Sequence, residues 1–270
     1  MPSMSDPTRE HAEFLTIAIE TARAAGKIIR AGIHDTLDIR YKGNINLVTQ
    51  IDLASERAIV DRLRALLPDH GILAEEGSAA EGSSGYRWLI DPLDGTTNYA
   101  HRFPFFCVSI GLRCEKDAIL GVVYDPIRDE LFTASRGTGA WCNGHSIAVS
   151  STPTIETSLL VTGFSYTARH SADDNFQHFI DFSRAAQGVR RTGSAALDLC
   201  YVAAGRFDGF WELNLSPWDT AAGQVLVEEA GGRVTDFTDA AFSPYGSQVV
   251  ASNGKIHNAM LAILNRPHQL

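Results

Sequence analysis

Trp88-Leu89-Ile90-Asp91-Pro92-Leu93-Asp94-Gly95-Thr96-Thr97-Asn98 decides how the rest of this chain is read. Trp88 to Ile90 is a short apolar run of the kind that forms a buried strand, and it stops at an Asp-Pro pair. A second Asp, a Gly and two Thr follow at once. Two carboxylates three residues apart at a strand end can converge on one metal region, and the residues after them offer backbone N–H groups and hydroxyls to an anion. The combination predicts a site for divalent cations and phosphate. In isolation the same residues make an ordinary acidic turn, so the weight falls on the remainder of the chain.

The 270 residues, 44% of them hydrophobic, are enough for a large core in one compact domain or in two tightly joined halves. Net charge is −9, from 23 Lys plus Arg against 32 Asp plus Glu, with no basic run or basic-aromatic stripe. A nucleic-acid surface is therefore not expected. An acidic protein that handles an anion needs metal ions or helix N-termini to offset repulsion, so the balance favours a metal site over an arginine clamp. Cys107, Cys114, Cys142 and Cys200 include no Cys-x-x-Cys pair and read as reduced thiols. With neither a signal-peptide pattern nor an apolar run long enough to span a bilayer, the expectation is a cytoplasmic protein without a membrane partner.

Residues up to about Asp6 read as a loose tail. Phe14, Ala18, Ala22, Ala25 and Ile29 mark one face of a long helix. Asp38 to Tyr41 reads as a strand and Lys42-Gly43-Asn44 as a turn. A second helix is expected from near Asp52, with Ile59, Leu63, Leu66 and Leu67 as its buried stripe and Pro68 near its end. Val108–Leu112, Ile119–Tyr124 and Leu131–Ala134 predict consecutive antiparallel strands, followed by a hairpin around Asn143-Gly144. Beyond these, strands at Leu159–Thr162, Phe207–Trp211, Val234 and Val249–Ala251 alternate with helices at Phe176–Ala186, Ala195–Ala204, Trp218–Ala230 and Ile256–Leu264. That alternation implies an α/β half. One domain over 1–270 is expected, with an N-terminal lobe of about 8–150 holding an antiparallel sheet and a C-terminal α/β lobe of about 151–270.

Three further acidic positions stand at the ends of apolar elements. Glu75-Glu76 follows Ile72-Leu73-Ala74, Asp52 follows Leu47-Val48-Thr49-Gln50-Ile51, and Asp219 lies in Trp218-Asp219-Thr220-Ala221-Ala222-Gly223. Singly, Asp52 and Asp219 are explained as helix caps and the Glu pair as a solvated loop. With Asp91 and Asp94 they form the oxygen-rich set that hard cations such as Mg²⁺ take. The nine histidines show no metal-ligand spacing. His101-Arg102 reads as a polar loop, and Arg190-Arg191 equally as a phosphate patch or a solvated strand end.

At this point the chain resembles the inositol monophosphatase family of Mg²⁺-dependent, lithium-sensitive sugar phosphatases. Its first signature is similar to Trp88–Asn98, and its second to Trp218–Gly223 continuing into Glu228-Glu229-Ala230-Gly231-Gly232. Glu75-Glu76 resembles the paired-acid motif, Val48–Asp52 the upstream Asp motif, and Gly193-Ser194-Ala195-Ala196 the substrate loop. The matches run in family order from about Lys42 to Gly232. The resemblance implies a mixed α/β fold, a layered αβαβα sandwich of the inositol monophosphatase and fructose-1,6-bisphosphatase type, and a homodimer. It implies one Mg²⁺ held by Glu75, Asp91 and the Leu93 carbonyl, and a second held by Asp91, Asp94 and Asp219. A third Mg²⁺ would be held loosely with help from Glu75, under a mobile loop around Lys42. The Gly95 and Thr96 N–H groups would meet phosphate. Thr96, oriented by Asp52, would position the attacking water with Glu75. Gly193, Ser194, Ala195 and Glu212 would contact the alcohol, joined by Asp94 and Asp219.

The activity so implied is hydrolysis of a small phosphorylated substrate, myo-inositol 1-phosphate foremost, by in-line attack of an activated water. Thr96-Thr97-Asn98-Tyr99 with His101 and Pro104 resembles the inositol-phosphate branch. Fructose 1,6-bisphosphate, NADP, histidinol phosphate and 3′-phosphoadenosine 5′-phosphate are the alternatives within the family. The alternative of another class is a non-catalytic regulatory or binding protein on the same fold, which predicts loss of the metal carboxylates.

Overall fold

The computed structural model describes residues 7–42, 46–166, 168 and 174–267, so the predicted tail up to Asp6 and the Gly43-Asn44 turn lie outside the described residues. The chain opens with helix α1 (Pro7–Gly32), whose Phe14, Ala18, Ala22, Ala25 and Ile29 are buried as their spacing predicts. Strands β1 (Ile39–Lys42) and β2 (Asn46–Thr49) pair in a small antiparallel ribbon that feeds α2 (Gln50–Leu66). Ile59 and Leu63 of α2 are buried, but Leu66 is 49% exposed. The expected stripe is corrected there: the chain leaves the helix at Leu67, and it is Leu67 that turns inward against the core.

Eight strands follow before residue 150. They are β3 (Gly71–Ala74), β4 (Ala79–Ala80), β5 (Tyr86–Asp94), β6 (Cys107–Cys114), β7 (Asp117–Asp125), β8 (Glu130–Ser135), β9 (Ala140–Cys142) and β10 (His145–Ile147), with helix α3 (Thr96–Ala100) between β5 and β6. They form one sheet in the order β10-β9-β8-β7-β6-β5-β3-β4, antiparallel except where β3 runs parallel to β5. The later half contributes β11 (Leu159–Thr162), α4 (Phe176–Ala185), β12 (Gly188–Arg190), α5 (Ala195–Ala203), β13 (Gly209–Leu213), α6 (Pro217–Glu229), β14 (Arg233–Thr235), β15 (Gln248–Ser252) and α7 (His257–Leu264). Its sheet has the order β12-β11-β13-β15-β14. The strand expected from Phe207 starts two residues later, at Gly209.

Three apolar clusters hold the layers together. α1 and α2 cover one face of the eight-stranded sheet through Phe14, Ile29, Ile59 and Leu63 against Trp88, Ile90, Val108 and Ile110. α5 and α6 fill the space between the two sheets, where Leu197, Leu199, Val225 and Leu226 meet Val123, Phe132, Phe210 and Val249. α4 and α7 close the outer face of the second sheet, with Phe182, Met260 and Ile263 on Leu160, Trp211 and Val250. The order is αβαβα, as expected. Both sheets are therefore apolar on both faces, which is why strands such as β6 and β7 read as nearly continuous apolar runs.

One contact sets the position of α6. Gly111 on β6 and Gly121 on β7 are cross-strand partners. A Cβ on Gly121 would lie 2.3 Å from the Ala222 carbonyl oxygen, and one on Gly111 would lie 2.8 Å from the Ala221 Cβ. The glycine pair makes a notch in the sheet into which the Ala221-Ala222 turn of α6 fits.

Candidate active site

Asp91 and Asp94 lie at the end of β5, and in a regular strand residues three apart point to opposite faces. Here Asp91 pairs with Ser109 and Asp94 with Cys107, so three steps along β5 match two along β6. The extra residue is a β-bulge, and Pro92, which has no N–H to give a ladder, sits within it. The bulge turns both carboxyls to the same side, and both line one cleft of about 460 Å³. Ser55 of α2 donates to the Pro92 carbonyl at 2.8 Å and anchors the bulge from behind.

Register brings in Glu75. Ala74 pairs with Ile90, so the next residue on β3 lies beside Asp91, and the Glu75 N–H donates to the Ile90 carbonyl at 3.1 Å. Gly95 caps α3 with φ +95°, and a Cβ there would lie 3.0 Å from the Phe105 carbonyl oxygen, so this sharp turn requires glycine.

Asp52 and Asp219 are indeed helix-capping residues, and they occupy the same place in their helices. Each is the third residue in a capping box, Asp52 with Thr49 and Asp219 with Ser216. The Thr49 N–H and hydroxyl donate to Asp52 Oδ2 at 2.9 and 2.5 Å, and the Ser216 N–H donates to Asp219 Oδ2 at 2.7 Å. Capping and site duty coincide because a capping side chain faces the helix N-terminus, and both N-termini face this end of the fold. Thr96 Oγ1 lies 2.9 Å from Asp52 Oδ1 and 3.1 Å from the Leu93 carbonyl oxygen. It has one proton, so a cation on that carbonyl would leave Asp52 as its acceptor.

The other side of the cleft comes from the second half of the chain. Asp94 Oδ2 accepts the Ser194 hydroxyl and the Ala196 N–H, both at 2.7 Å, which ties β5 to the start of α5. Gly193, Ser194, Ala195 and Glu212 also line the cleft. A Cβ on Gly163 would lie 2.4 Å from the Glu212 carboxylate oxygens, so the bare glycine leaves room for that buried carboxyl.

The electrostatics are those of crowded acids. Burial, then the charges of Glu75, Asp94 and Asp219, push Asp91 well above the ordinary carboxylate range. Burial pushes Asp94 up to about 6 against hydrogen bonds that pull it down. Asp219 is raised well above its usual value by burial and then by Asp94 and Glu75, and Asp52 is raised by burial. Among the described residues, no three His, Cys, Asp or Glu side chains are gathered tightly enough to hold an ion as they stand. The acids are turned to protein donors instead: Asp91 to the Leu93 N–H at 3.0 Å, Asp94 to Ser194, Asp219 to Ser216. The donor set nonetheless fits a hard divalent cation. It is all oxygen, desolvated and electron-rich, and like charges so placed are relieved by positive charge.

Several lining residues escape a sequence reading. Asp198, in the first turn of α5, is buried and accepts the Thr192 hydroxyl at 2.5 Å. Asn98 donates to the carbonyls of Phe105 and Thr192 at 2.7 and 2.9 Å, bridging the two sides of the cleft. Phe164, Tyr166, Phe176 and Trp218 add an aromatic lining. Arg191 reaches the cleft, whereas Arg190, His101 and Arg102 do not line it. Signals existed for Asn98, inside the quoted stretch, for Trp218 at the head of the second signature, for Arg191 in its basic pair, and for Asp198, four residues past Ser194; none existed for Phe164, Tyr166 and Phe176.

Fold and cleft define a layered α/β protein with a carboxylate-lined site, and comparison with known proteins gives it a family. The family model described as the inositol monophosphatase family matches residues 10–269, and the chain belongs to that family of phosphatases. It is 45% identical to an inositol-1-monophosphatase of Synechocystis sp., over 92% of this chain and 87% of that protein. It is 44% identical to the Nus factor SuhB of Escherichia coli, over 92% of this chain and 94% of that protein. The structure of inositol monophosphatase from Anabaena (Nostoc), 45% identical, matches with a TM-score of 0.86 over 94% of this chain and 95% of that one. An IMPase/NADP phosphatase complexed with Mg²⁺ and phosphate, 27% identical, matches with a TM-score of 0.80 over 91% and 92% of the two chains. No described helix is long and apolar enough to cross a membrane.

Proposed function

We propose that this protein is a Mg²⁺-dependent phosphomonoesterase that hydrolyses myo-inositol 1-phosphate, or a closely similar cyclitol or sugar phosphate, to the alcohol and phosphate. The observation that carries the reading is the meeting of Glu75, Asp91, Asp94 and Asp219 in one cleft with Gly95 and with a Thr96 hydroxyl held by Asp52. Glu75, Asp91, Asp94, Asp219 and the Leu93 carbonyl are the residues that would hold two Mg²⁺, with a third more loosely bound near Glu75. Bound there, Mg²⁺ supplies positive charge against the phosphate dianion and the leaving oxygen and acidifies water.

The remaining work belongs to the chain. The Gly95 and Thr96 N–H groups orient the phosphate. With its proton given to Asp52 Oδ1, the Thr96 hydroxyl keeps lone pairs free to accept from a water, and Glu75 takes the proton that water loses. The water oxygen forms a bond to phosphorus as the ester bond breaks, and the departing alkoxide takes a proton from solvent water to leave as the alcohol. Ser194 and the Ala196 N–H hold Asp94 in place, and Gly193, Ser194, Ala195 and Glu212, with Asp94 and Asp219, receive the alcohol hydroxyls. Among the described lining residues Arg191 is the one basic side chain. Retention of all four acids supports catalysis over a purely regulatory role. Lithium sensitivity and a homodimer belong to the same reading.

Phosphate release at neutral pH with Mg²⁺ or EDTA tests it, over inositol 1-phosphate, fructose 1,6-bisphosphate, NADP, histidinol phosphate and 3′-phosphoadenosine 5′-phosphate. Mg²⁺-dependent release led by inositol 1-phosphate is expected. Another leading substrate would keep the chemistry and change the specificity, and no release from folded protein would overturn the reading.

A further inference from the structure

Two chemistries line the cleft, and the reaction described above uses only one of them. Beside the carboxyls stand Phe164, Tyr166 and Phe176. Phe176 is 48% and Tyr166 46% exposed, so neither ring is absorbed by the core. The patch is nevertheless built and not loose. The Phe164 ring lies 5.0 Å from Phe176 at an interplanar angle of 32°, and 5.8 Å from Phe179 at 57°. Those distances are in the range where aromatic pairs attract, so Phe164 is held by α4.

The position of the patch along the cleft says which part of a ligand it would meet. Tyr166 shares the cleft wall with Thr97, next to the proposed phosphate site at Gly95 and Thr96. Phe164 directly follows Gly163, whose Cα packs against the Glu212 carboxyl assigned to the alcohol. The rings thus run from the phosphate end to the alcohol end. A cleft of about 460 Å³ lies in the range that holds drug-sized ligands. Asp94, Asp198, Glu212 and Asp219 make the alcohol end of the cleft acidic, which suits a neutral alcohol there.

We propose that Phe164, Tyr166 and Phe176 form an alcohol-side subsite, and that the cleft prefers phosphate monoesters of neutral alcohols carrying a flat apolar ring over those of open-chain alcohols. The inference rests on the phosphatase reading for the place of the phosphoryl group alone. Stacking on a preformed aromatic surface, with water displaced from half-exposed rings, favours a planar group by about tenfold.

Calorimetric titration of the Mg²⁺-loaded protein with 3-phenylpropylphosphonate and with propylphosphonate tests it, since the pair shares one anionic head and differs by a phenyl ring. The phenyl compound is expected to bind about tenfold more tightly, and in Phe176→Ala the ratio falls to within about twofold. Phe164→Leu, which keeps bulk and loses the flat face, is expected to lower the ratio in part. Equal affinities in the wild-type protein, or an unchanged ratio in Phe176→Ala, overturn the subsite and leave the phosphatase reading standing. If neither phosphonate binds, the phosphate site itself is misassigned and both readings fall.

Discussion

Asp91 is 2% exposed and faces the charges of Glu75, Asp94 and Asp219, so without a cation it is a group the fold has to hold against repulsion. That gives Asp91→Asn two opposite effects. Removing one of several crowded charges is expected to leave the metal-free protein as stable as wild type or more so, because a buried like-charge cluster opposes folding. The same change removes a ligand, so turnover should fall on the order of a thousandfold, the equivalent of several kcal/mol of lost charge stabilisation. Thermal melts in EDTA and in Mg²⁺, alongside phosphate release, check both. A lower melting temperature in EDTA, or near-wild-type turnover, would remove Asp91 from the centre of the site. Asp91 and Asp94 were legible in the sequence because their motif is contiguous and interrupts an apolar run. The facing aromatic patch of Phe164, Tyr166 and Phe176 was not, since no local pattern reports which side chains another segment brings within reach.

At the scale of elements, α6 carries Asp219 to the cleft, and the notch at Gly111 and Gly121 decides how deeply α6 sits. A methyl group at residue 121 would meet the backbone of Ala222, which cannot rotate aside as a side chain can. Gly121→Ala is expected to destabilise the protein by about 2–3 kcal/mol, the upper part of the usual range for overpacking. Because the displaced helix bears a proposed ligand three residues away, Mg²⁺ affinity should fall as well. Urea melts and Mg²⁺ titration of the same variant test the coupling; lost stability with unchanged Mg²⁺ affinity would show that α6 adjusts without moving Asp219. The alanines of α6 and the strand glycines were visible in the sequence, but their meeting was not, because they lie about a hundred residues apart.

For the whole molecule, the crowded acids link metal binding to pH. Asp94 in the fold titrates at about 6, above the 3.8 of a free aspartate. Its contribution to metal-free stability is therefore fully present below about pH 4 and is lost as pH rises through about 6. His257 opposes this over nearly the same span. Burial lowers it from 6.5 to about 4, so its contribution is present above 6.5 and is lost as pH falls. Metal-free stability alone would mix the two. The rise in melting temperature on adding Mg²⁺ separates them, since His257 is hydrogen-bonded to Thr235 and Ser252 and is not among the residues lining the cleft. That rise is expected to be small at pH 5 and to grow towards pH 8 as the carboxyls lose their protons. An equal rise at both values would mean the ion is held elsewhere.

The sequence by itself determined the family, the layered α/β class and the acids at the ends of apolar elements. Strand and helix periodicity and contiguous motifs are local properties, and a carboxylate at a strand end keeps that place however the chain is packed. It also supplied the capping boxes that put Asp52 and Asp219 at helix N-termini. Only the tertiary structure decided that a bulge at Pro92 turns Asp91 and Asp94 to one side, that a glycine notch brings Asp219 opposite them, and that the rings of Phe164, Tyr166 and Phe176 share their cleft. Those are matters of register and close approach between distant segments, set by backbone sterics and side-chain volume across the whole fold, which no stretch of sequence carries alone.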